Sequence, residues 1–503
     1  MSSDPSFQLY NSLTRRVEPL ELLEPGHLRF YACGPTVYSY AHIGNFRSFL
    51  TADLILRTAQ AIGWQTTYVS NVTDVGHLTE DDYADAGGED RMVQALRSKE
   101  GERFANVWDL ARYYTEVLLE DWQLLNLREP DVRPRATEHV MQQIKAVEQL
   151  LEKGHAYETA QGIYFSVESF PNYGKLSGNI ASDQLEEARR DLVYDTEKRN
   201  PRDFALWKKD PTHLMQWHSP WGWGFPGWHI ECSVMSMTYL GEQFDLHTGG
   251  EDNIFPHHEC EIAQAESITG RPWVEHWVHT RFLQVEGEKM AKSAGNFYTL
   301  RDLIAPESEG GRGINPLALR LTLIVGQYRK PYNFTFDTLR DNARHVRRFQ
   351  EALDRVERIA AEDPPGDDRV GDRLEALYRR ALLAMLDDLN TPEAIAASLE
   401  GVRLINSIGE TLNGASARRA RAWLDQINAL LGLVYHETET AARPSDETDP
   451  LAEKIKALLA ERVAARQAKD YARADAIRDE IDAMGIEVMD SPEGTTWRRK
   501  LSV

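Results

Sequence analysis

The sequence of 503 residues predicts an α/β fold, and two observations support this prediction. Strand and helix signals alternate from about residue 30 to residue 126, and again from residue 244 to residue 298, which is typical of a parallel sheet. Beyond Phe297 the chain consists largely of charged amphipathic helical segments. We therefore predict a Rossmann-like parallel-sheet domain with an insertion, followed by a helical bundle domain and a small C-terminal α+β module.

Turn signals and changes of hydrophobic pattern divide the chain into six predicted segments. The insertion contains a predicted helix with Val140, Ile144 and Val147 on one face, and it ends near Gly154. The segments are residues 1–127 (first half of the sheet domain), 128–220 (inserted connective region), 221–300 (second half of the sheet domain), 301–435 (helical bundle domain), 436–450 (polar linker) and 451–503 (C-terminal module).

Composition limits the partners that this chain can have. With 57 basic and 79 acidic residues the net charge is −22, so any contact with a polyanion requires a local basic patch. Basic islands occur at residues 344–358, 417–423 and 495–500, although solvated helix faces are their commoner explanation. No apolar run approaches the length of a membrane span, and the N-terminal residues are polar. With only three cysteines, we expect a cytoplasmic protein without disulfides.

The sequence HIGN at residues 42–45 is predicted to begin a helix. Apolar side chains recur at helical spacing after it, and Gly63 ends the pattern. Free amides and the dipole at a helix N-terminus attract phosphate, and Gly44 lets a ligand approach the backbone. His42 and Asn45 can donate hydrogen bonds to a triphosphate. The alternative interpretation is that His42 is an ordinary helix cap.

A second motif, GEKMAKS, occupies residues 287–293. Lys289 and Lys292 stand three positions apart between Gly287 and Gly295, so two mobile ammonium groups can close over phosphates. Such groups neutralise charge that develops in a transition state. Taken alone, this motif also fits a solvated surface turn. Together with HIGN, it indicates nucleotide chemistry.

Cysteine, histidine and glutamate provide candidate metal ligands. In the segment FPHHECEIAQ, residues 255–264, Pro256 is predicted to be the first helical residue. His257 and Glu261 then lie one turn apart on the same helix face. With Cys33 and Cys232 they form a set suited to tetrahedral zinc.

The ligand set is not unique on chemistry alone. Cys260 stands three residues after His257 and can reach the same helix face, and His258 is a further imidazole in range. Both residue types bind zinc. For any single residue of the group, a buried cysteine or a helix-capping histidine is at least as common as a ligand.

Eight ordered sequence blocks resemble cysteinyl-tRNA synthetase, a class I aminoacyl-tRNA synthetase family, from end to end of the chain. The family signatures HIGH and KMSKS appear here as HIGN and KMAKS, so Asn45 and Ala291 are departures. After NVTD the chain continues Val-Gly-His-Leu, where the family commonly has more acidic residues and a lysine. The blocks are YACGPTVYSYAHIGN, NVTD, RNPRDFALWK, PGWHIECSVM, FDLHTGGEDNIFPHHECEIAQ, EKMAKSAGNF, LNTPEA and GTTWRR.

The resemblance implies a role for each matching position. The implied zinc ligands are Cys33, Cys232, His257 and Glu261, with Cys260 as a bystander. The implied cysteine pocket consists of Thr73, Trp228 and His247. The implied ATP-binding residues are His42, Gly44, Asn45, Gly249, Gly250, Asp252 and Lys292. The implied catalytic residues are His42, Asn45, Lys289 and Lys292. The implied tRNA contacts, in an anticodon-binding module at residues 451–503, are Trp497, Arg498 and Arg499.

The predicted function is therefore that of a cysteine–tRNA ligase. It would use ATP with Mg²⁺, one zinc ion per chain, L-cysteine and tRNA(Cys), and we expect a monomer. One alternative is a related ligase that couples cysteine to a small amine, such as the aminosugar of a thiol cofactor. Another is a non-catalytic, zinc-containing protein that binds nucleic acid, suggested only by Asn45 and Ala291.

Overall fold

A computed structural model gives the fold of the chain. It describes residues 6–78, 88–178 and 197–434, and, in the C-terminal part, residues 458–459, 461–462, 465, 470–483, 486–491 and 494–499. The linker predicted at residues 436–450 and the helix predicted from Leu451 lie outside these ranges for most of their length. The statements below concern the described residues.

The strands fall into five sheets. In chain order the strands of the described ranges are β1 (Gln8–Asn11), β2 (Arg16–Pro19), β3 (His27–Ala32), β4 (Gln65–Ser70), β5 (Ala156–Glu158), β6 (Gly162–Phe165), β7 (Phe204–Lys208), β8 (Trp217–Ser219), β9 (Gly222–Pro226), β10 (Phe244–Gly250), β11 (Val274–Thr280), β12 (Leu283–Val285), β13 (Glu288–Lys289), β14 (Tyr332–Phe334), β15 (Ile486–Ser491) and β16 (Gly494–Arg499).

The longest helix of the described ranges, Phe336–Glu362 with 27 residues, begins the helical C-terminal part. In chain order the α-helices of the same ranges are α1 (Ile43–Ala61), α2 (Arg91–Arg97), α3 (Val107–Leu124), α4 (Val140–Glu152), α5 (Trp228–Leu240), α6 (His257–Thr269), α7 (Leu300–Ile304), α8 (Pro316–Ile324), α9 (Phe336–Glu362), α10 (Gly371–Leu386), α11 (Thr391–Ile408), α12 (Gly414–Leu431) and α13 (Tyr471–Ala483).

A four-stranded parallel sheet forms the centre of the N-terminal half. Its strand order is β11–β10–β3–β4, so strands from before and after the insertion join in one sheet. This confirms the predicted parallel sheet. Strand β3 pairs with β4 on one side and with β10 on the other, so the strand order reverses direction at β3. In parallel sheets, ligands bind at the carboxyl ends of the strands where the order reverses. The insertion forms a separate sheet of order β5–β6–β7–β9–β8, which extends past the predicted boundary at residue 220 because β9 (Gly222–Pro226) pairs with β7 and β8.

Helix α1 connects this sheet to the helical domain. Nearly all of its side chains from Phe49 to Ala59 are buried, because the helix packs against the sheet and against α8 and α12. Asp53 accepts hydrogen bonds from Arg57 (2.8 Å) and from Arg320 of α8. Burial raises the pKa of Asp53, but the two guanidinium groups outweigh burial and lower it. A satisfied buried ion network therefore links the two domains.

Local details follow the sequence pattern with one correction. Helix α1 ends at Ala61, and Gly63 follows it with φ 80°. Pro256, predicted as the first residue of α6, is instead its N-cap, and the helix begins at His257. The one-residue shift preserves the spacing of His257 and Glu261. No helix of the described ranges has the length and apolar character needed to cross a bilayer.

Candidate active site and metal centre

The carboxyl ends of β3, β4 and β10 meet at one edge of the parallel sheet. Cys33 follows β3, and a Cβ atom on Gly34 would lie 1.6 Å from the carbonyl oxygen of Asn71, which follows β4. Only glycine permits this approach. The Asn71 Oδ1 atom accepts a hydrogen bond from the Gly34 amide at 2.8 Å, and Val37 N donates to the Thr73 carbonyl at 3.0 Å. The two segments are thereby held side by side.

Cys33, Cys232, His257 and Glu261 converge at this edge. All four are buried, and their donor atoms lie within 4.8 Å of one another. The sulfur atoms of Cys33 and Cys232 are 3.8 Å apart, and His257 Nε2 is 3.0 Å from Glu261 Oε1. Two thiolates bound tetrahedrally to zinc at about 2.3 Å are about 3.8 Å apart, whereas a disulfide requires about 2.05 Å. The geometry therefore fits a shared metal ion and excludes a disulfide.

The donors of the cluster shift one another's pKa values in different directions. Burial raises the pKa of Cys33 well above its usual value, whereas for Cys232 the contacts with Cys33 and His257 outweigh burial and lower the pKa to about 6. Burial lowers the pKa of His257, but the Glu261 carboxylate and Cys232 outweigh burial and raise it to about 10. Burial raises the pKa of Glu261, but His257 and His247 lower it to about 2. The Glu261 carboxylate is thus anionic in a buried site where positive charge offsets it. A divalent cation supplies such positive charge.

A second donor set overlaps the first. It consists of Cys33, His247, His258 and Glu261, also buried and also within 4.8 Å of one another. The His258 Nε2 atom is 3.3 Å from Cys33 Sγ and 3.9 Å from Glu261 Oε1. The first set contains two thiols and the second only one, and sulfur ligands favour zinc. Cys260 belongs to neither set, and its sulfur contacts the Tyr173 hydroxyl at 3.5 Å.

The three residues expected to bind cysteine surround the donor cluster in different ways. The Trp228 indole stacks on His257 with ring centroids 4.2 Å apart. His247 is fully buried, and its Nε2 atom lies 3.0 Å from Glu261 Oε2, so His247 orients the second carboxylate oxygen of Glu261. Thr73 Oγ1 accepts a hydrogen bond from Asn71 Nδ2 at 3.1 Å. Of the three, only Trp228 is partly exposed.

The HIGN segment forms the N-terminus of α1, as predicted, and its cap fixes the histidine. His42 N donates to Asn45 Oδ1 at 3.1 Å, and Asn45 N donates to His42 Nδ1 at 3.2 Å. Burial, and then the charge of Lys292, lowers the pKa of His42 to about 4. The ring is therefore neutral near pH 7, and because Nδ1 accepts, Nε2 carries the proton. Asn45 acts here as a capping residue.

The lysine loop lies against the HIGN segment. The backbone amide of Ile43 donates to the Tyr298 carbonyl at 3.1 Å, and Leu300 N donates to the Ala41 carbonyl at 3.2 Å. The Lys292 Nζ atom lies 5.2 Å from the Phe297 ring centroid, and the His42 ring meets the same phenyl ring edge-on. The structure thus brings Lys292 close to His42, although about 250 residues separate them.

Lys289 and Gly44 differ in how they relate to the lysine loop. Lys289 ends β13 and its side chain is exposed. A Cβ atom on Gly44 would lie 2.9 Å from His42 Nδ1 and 3.4 Å from Met290 Cε, so the methionine of the loop packs over the glycine of HIGN. Glycine at this position keeps the helix N-terminus accessible.

The remaining expected ATP contacts lie at the end of β10. Gly249 and Gly250 are the last residues of that strand, and Asp252 is in the turn that follows. A Cβ atom on Gly249 would lie 2.7 Å from His258 Cε1, so this glycine lets the strand pass the imidazole. Asp252 is exposed at the edge of the sheet that carries the cluster.

The expected tRNA contacts occupy a separate hairpin. Trp497, Arg498 and Arg499 belong to β16, which pairs antiparallel with β15, Trp497 opposite Val488. Their side chains lie outside the described parts of the structure. The strand predicted at residues 486–489 is present and continues to Ser491.

Several residues of the site were not singled out from the sequence. Asn71 ties Gly34 to Thr73, His229 Nδ1 lies 2.9 Å from His257 Nδ1, and His279 Nε2 lies 2.8 Å from His258 Nδ1. The imidazole of His77 stacks on Trp228. The position of His279 near the end of β11 was an available signal, because the ends of parallel strands share one edge.

Sequence comparison agrees with this geometry. Residues 19–344 match the family described as tRNA synthetases class I (C) catalytic domain, residues 383–435 match the DALR domain, and residues 448–498 match the cysteinyl-tRNA ligase anticodon binding domain. A cysteine–tRNA ligase of Salinibacter ruber is 62% identical, covering 99% of each chain. That of Thermus thermophilus is 42% identical, covering 97% of this chain and 98% of its own.

Solved structures share the fold at low sequence identity. Mycobacterium tuberculosis methionyl-tRNA synthetase with methionyl-adenylate has a TM-score of 0.52 at 14% identity, covering 86% of this chain and 94% of its own. An Agrobacterium radiobacter LeuRS in a ternary complex with tRNA has a TM-score of 0.56 at 11% identity, covering 86% and 87%. Identity of 62% over the full chain is decisive. The chain belongs to the cysteine–tRNA ligase family, the class I aminoacyl-tRNA synthetases that use ATP to attach cysteine to tRNA(Cys).

Proposed function

We propose that this chain activates L-cysteine with ATP in a site where zinc selects the thiol, and transfers the cysteine to tRNA(Cys). One observation carries the proposal. The donor cluster of Cys33, Cys232, His257 and Glu261 contacts Trp228 and lies at the sheet edge that also carries the HIGN helix start. The proposal places the thiol of the substrate at that cluster and its carboxylate on the side of the HIGN helix start.

Zinc is the metal that suits this donor set. Cys33, Cys232, His257 and Glu261 would hold it, and His247 would orient the Glu261 carboxylate. When bound, zinc supplies a preference for a soft thiolate over a serine hydroxyl. That preference matters because shape discrimination of a small side chain yields only about 1–3 kcal/mol. No separate editing domain is then required.

The remaining groups act on ATP, bound as its Mg²⁺ complex. A cysteine carboxylate oxygen attacks the α-phosphorus, the bond to the bridging oxygen breaks, and pyrophosphate leaves with that electron pair. His42 donates from Nε2–H to a phosphate oxygen, and Gly44 leaves the α1 amides accessible. Lys292, with Lys289, neutralises charge that grows on the transferring and leaving groups. The cysteine carboxylate is already ionised, so no general base is needed.

The second step transfers cysteine to tRNA. A terminal ribose hydroxyl attacks the carbonyl carbon of cysteinyl-adenylate, an ester forms, and AMP leaves. Gly249, Gly250 and Asp252 lie at the end of β10, where the adenosine of the adenylate would bind. We assign anticodon binding to the C-terminal module, with Trp497, Arg498 and Arg499 as contacts, and stem contacts to the helical domain from residue 301 to residue 435.

A ligase that joins cysteine to a small amine is the second candidate. Such a ligase would need the same metal and nucleotide sites. Only features elsewhere in the chain can therefore distinguish the two candidate functions. The C-terminal match at residues 448–498 supports tRNA as the acceptor, because a small amine has no anticodon to bind.

The proposal is tested by two assays on the purified chain. Cysteine-dependent exchange of pyrophosphate into ATP reports activation, and transfer of labelled cysteine to tRNA(Cys) reports the second step. Exchange with cysteine but not serine, followed by tRNA charging, is expected. Exchange without charging, with product formed on an aminosugar, would favour the second candidate. The absence of exchange with zinc-loaded protein would contradict both.

A further inference from the structure

The segment Val-Gly-His-Leu follows NVTD, and the structure places its histidine, His77, against Trp228. Gly76 has φ 78°, and a Cβ atom there would lie 2.7 Å from the Pro226 carbonyl oxygen. Glycine is thus required both for the backbone conformation and for the close approach. As a consequence, the next residue, His77, lies against Trp228. The two rings are almost parallel, 7° apart in plane, with centroids separated by 4.1 Å.

Hydrogen bonds to both nitrogens fix the orientation of the His77 ring. The Nδ1 atom is 2.8 Å from Thr36 Oγ1, and Arg91 Nε donates to Nε2 at 3.1 Å. Arginine can only donate, so Nε2 accepts and Nδ1–H donates to Thr36. Burial, and then the charge of Arg91, lowers the pKa of His77 well below its usual value, which keeps the ring neutral. The imidazole is therefore held in one plane and one tautomer.

The His77 imidazole contacts Trp228, the partly exposed residue of the expected cysteine pocket. Trp228 contacts three imidazoles: His77 at 4.1 Å, the metal-donor residue His257 at 4.2 Å and, tilted by 39°, His229 at 5.1 Å between ring centroids. Its backbone is set by the start of α5, but its ring plane is set by the two stacked neighbours, His77 and His257. His257 belongs to the donor cluster, and His229 Nδ1 lies 2.9 Å from His257 Nδ1, so His77 is the contact that can orient the indole independently of the metal site.

We propose that His77 is a positioning residue for cysteine recognition: clamped between Thr36 and Arg91, its imidazole stacks on one face of the Trp228 indole and holds that side chain in one orientation beside the donor cluster. The inference rests on the proposed function, because it takes Trp228 to be part of the cysteine pocket. It assigns a specific task to the Val-Gly-His-Leu segment of this chain. A loose indole weakens substrate binding, while the nucleotide site and the metal donors stay intact.

The test measures the KM for cysteine, the KM for ATP, kcat in pyrophosphate exchange, and zinc content. His77→Ala is expected to raise the KM for cysteine about three- to tenfold, the range of a stacked aromatic pair. The KM for ATP, kcat and the zinc content should stay within about twofold. His77→Phe keeps the stacked ring and should recover most of the cysteine affinity. His77→Asn keeps polar contacts without the ring and should not.

A matched control and a double substitution distinguish positioning from stability. His155 also lies parallel to an aromatic ring, that of Phe165, and its Nδ1 is 2.9 Å from Ser169 Oγ, but it belongs to the insertion. His155→Ala should leave the KM for cysteine unchanged. In a Trp228→Ala background, His77→Ala should add little, because contacting residues are not additive.

The outcomes separate this inference from the proposed function. If the unaltered chain lacks cysteine-dependent exchange, the proposed function fails. If that chain is active, an unchanged KM for cysteine in His77→Ala overturns the inference, as do equal losses for cysteine and ATP or additivity with Trp228→Ala. Should His77→Ala not fold, Thr36→Val tests the same clamp. A smaller rise in the KM for cysteine supports the proposal, and an unchanged KM overturns it.

Discussion

The metal-donor cluster and the lysine loop differ in the exposure of their ionisable side chains. In the cluster, Cys33, Cys232, His257 and Glu261 are all buried, and each has a donor atom close to that of another member. Cys33 follows a strand of the sheet, and the other three residues lie on helices. In the loop, Lys289 and Lys292 are exposed. The cluster is preorganised for one small substrate, whereas the lysines remain hydrated until phosphate arrives. In the function proposed above, selection of the amino acid relies on side chains that are buried and fixed in the folded protein, whereas charge stabilisation relies on exposed lysine side chains.

The largest expected effect comes from breaking the buried cluster. Cys232→Ser should lose both zinc and cysteine activation, with exchange reduced at least about 10²-fold, because serine is a poor zinc ligand and the other three donors lose their shared ion. Metal analysis and pyrophosphate exchange measure the two losses. Cys260→Ser is the matched control and should retain both. Loss of metal in Cys260→Ser alone would show that the ligand set is wrong.

A second pair of variants decides between the two overlapping donor sets. His257→Ala should remove the metal, because His257 belongs to the set with two thiols. His258→Ala should retain about one zinc per chain and lose at most about tenfold in activity, as expected for a residue beside the ligands. Zinc content after dialysis is the measurement. The reverse result would move the ion to the set formed with His247.

Breaking the exposed region should affect rate without affecting recognition. Lys292→Ala should lower the rate of adenylate formation by about 10², because its charge stabilises the transition state more than the bound substrates. The KM for cysteine and the zinc content should change little. Single-turnover kinetics with varied cysteine separate the two effects. Equal losses in rate and cysteine affinity would instead identify Lys292 as a general binding residue.

A third region should affect neither activation nor metal. Trp497→Ala in the C-terminal hairpin should raise the KM for tRNA(Cys) about tenfold, because stacking of an unpaired base on an aromatic side chain contributes about 1–3 kcal/mol. Pyrophosphate exchange should be unchanged. Charging assays at varied tRNA concentration measure the effect. An unchanged KM for tRNA would argue against this contact.

The smallest expected effect concerns the pH dependence of stability at His42, which lies beside the lysine loop. Burial and Lys292 lower the pKa of His42 from 6.5 in the unfolded chain to about 4 in the native one, so only the unfolded chain gains this proton between these values. Native stability should therefore fall as the pH falls through this window. Relative to His42→Gln, the unaltered chain should lose about 2 kcal/mol more between pH 7 and pH 5. Thermal unfolding at the two pH values measures the difference, and parallel pH profiles would contradict it.

The parts of this site that were predictable are those that depend on neighbours in the sequence. The helix start at His42 follows from the spacing of apolar residues after it, and the i, i+4 pair of His257 and Glu261 follows from helix geometry. Zinc chemistry added Cys33 and Cys232 to that pair but left Cys260 and His258 as alternatives, and the resemblance set Cys260 aside. The prediction for Pro256 was wrong by one position, because helix boundaries depend on cap geometry as well as residue preference.

The sequence by itself determined the alternating α/β pattern, the two phosphate-binding motifs and the set of candidate donors. Only the tertiary structure decided that Cys33 and Cys232, 199 positions apart, lie 3.8 Å apart, and that His77 stacks on Trp228. It also decided that His42 caps α1, with the Asn45 side chain accepting a hydrogen bond from the His42 amide in return. The reason is physical: periodicity records which face of an element is buried, whereas contacts between elements depend on strand order and on close approaches such as those at Gly34 and Gly76.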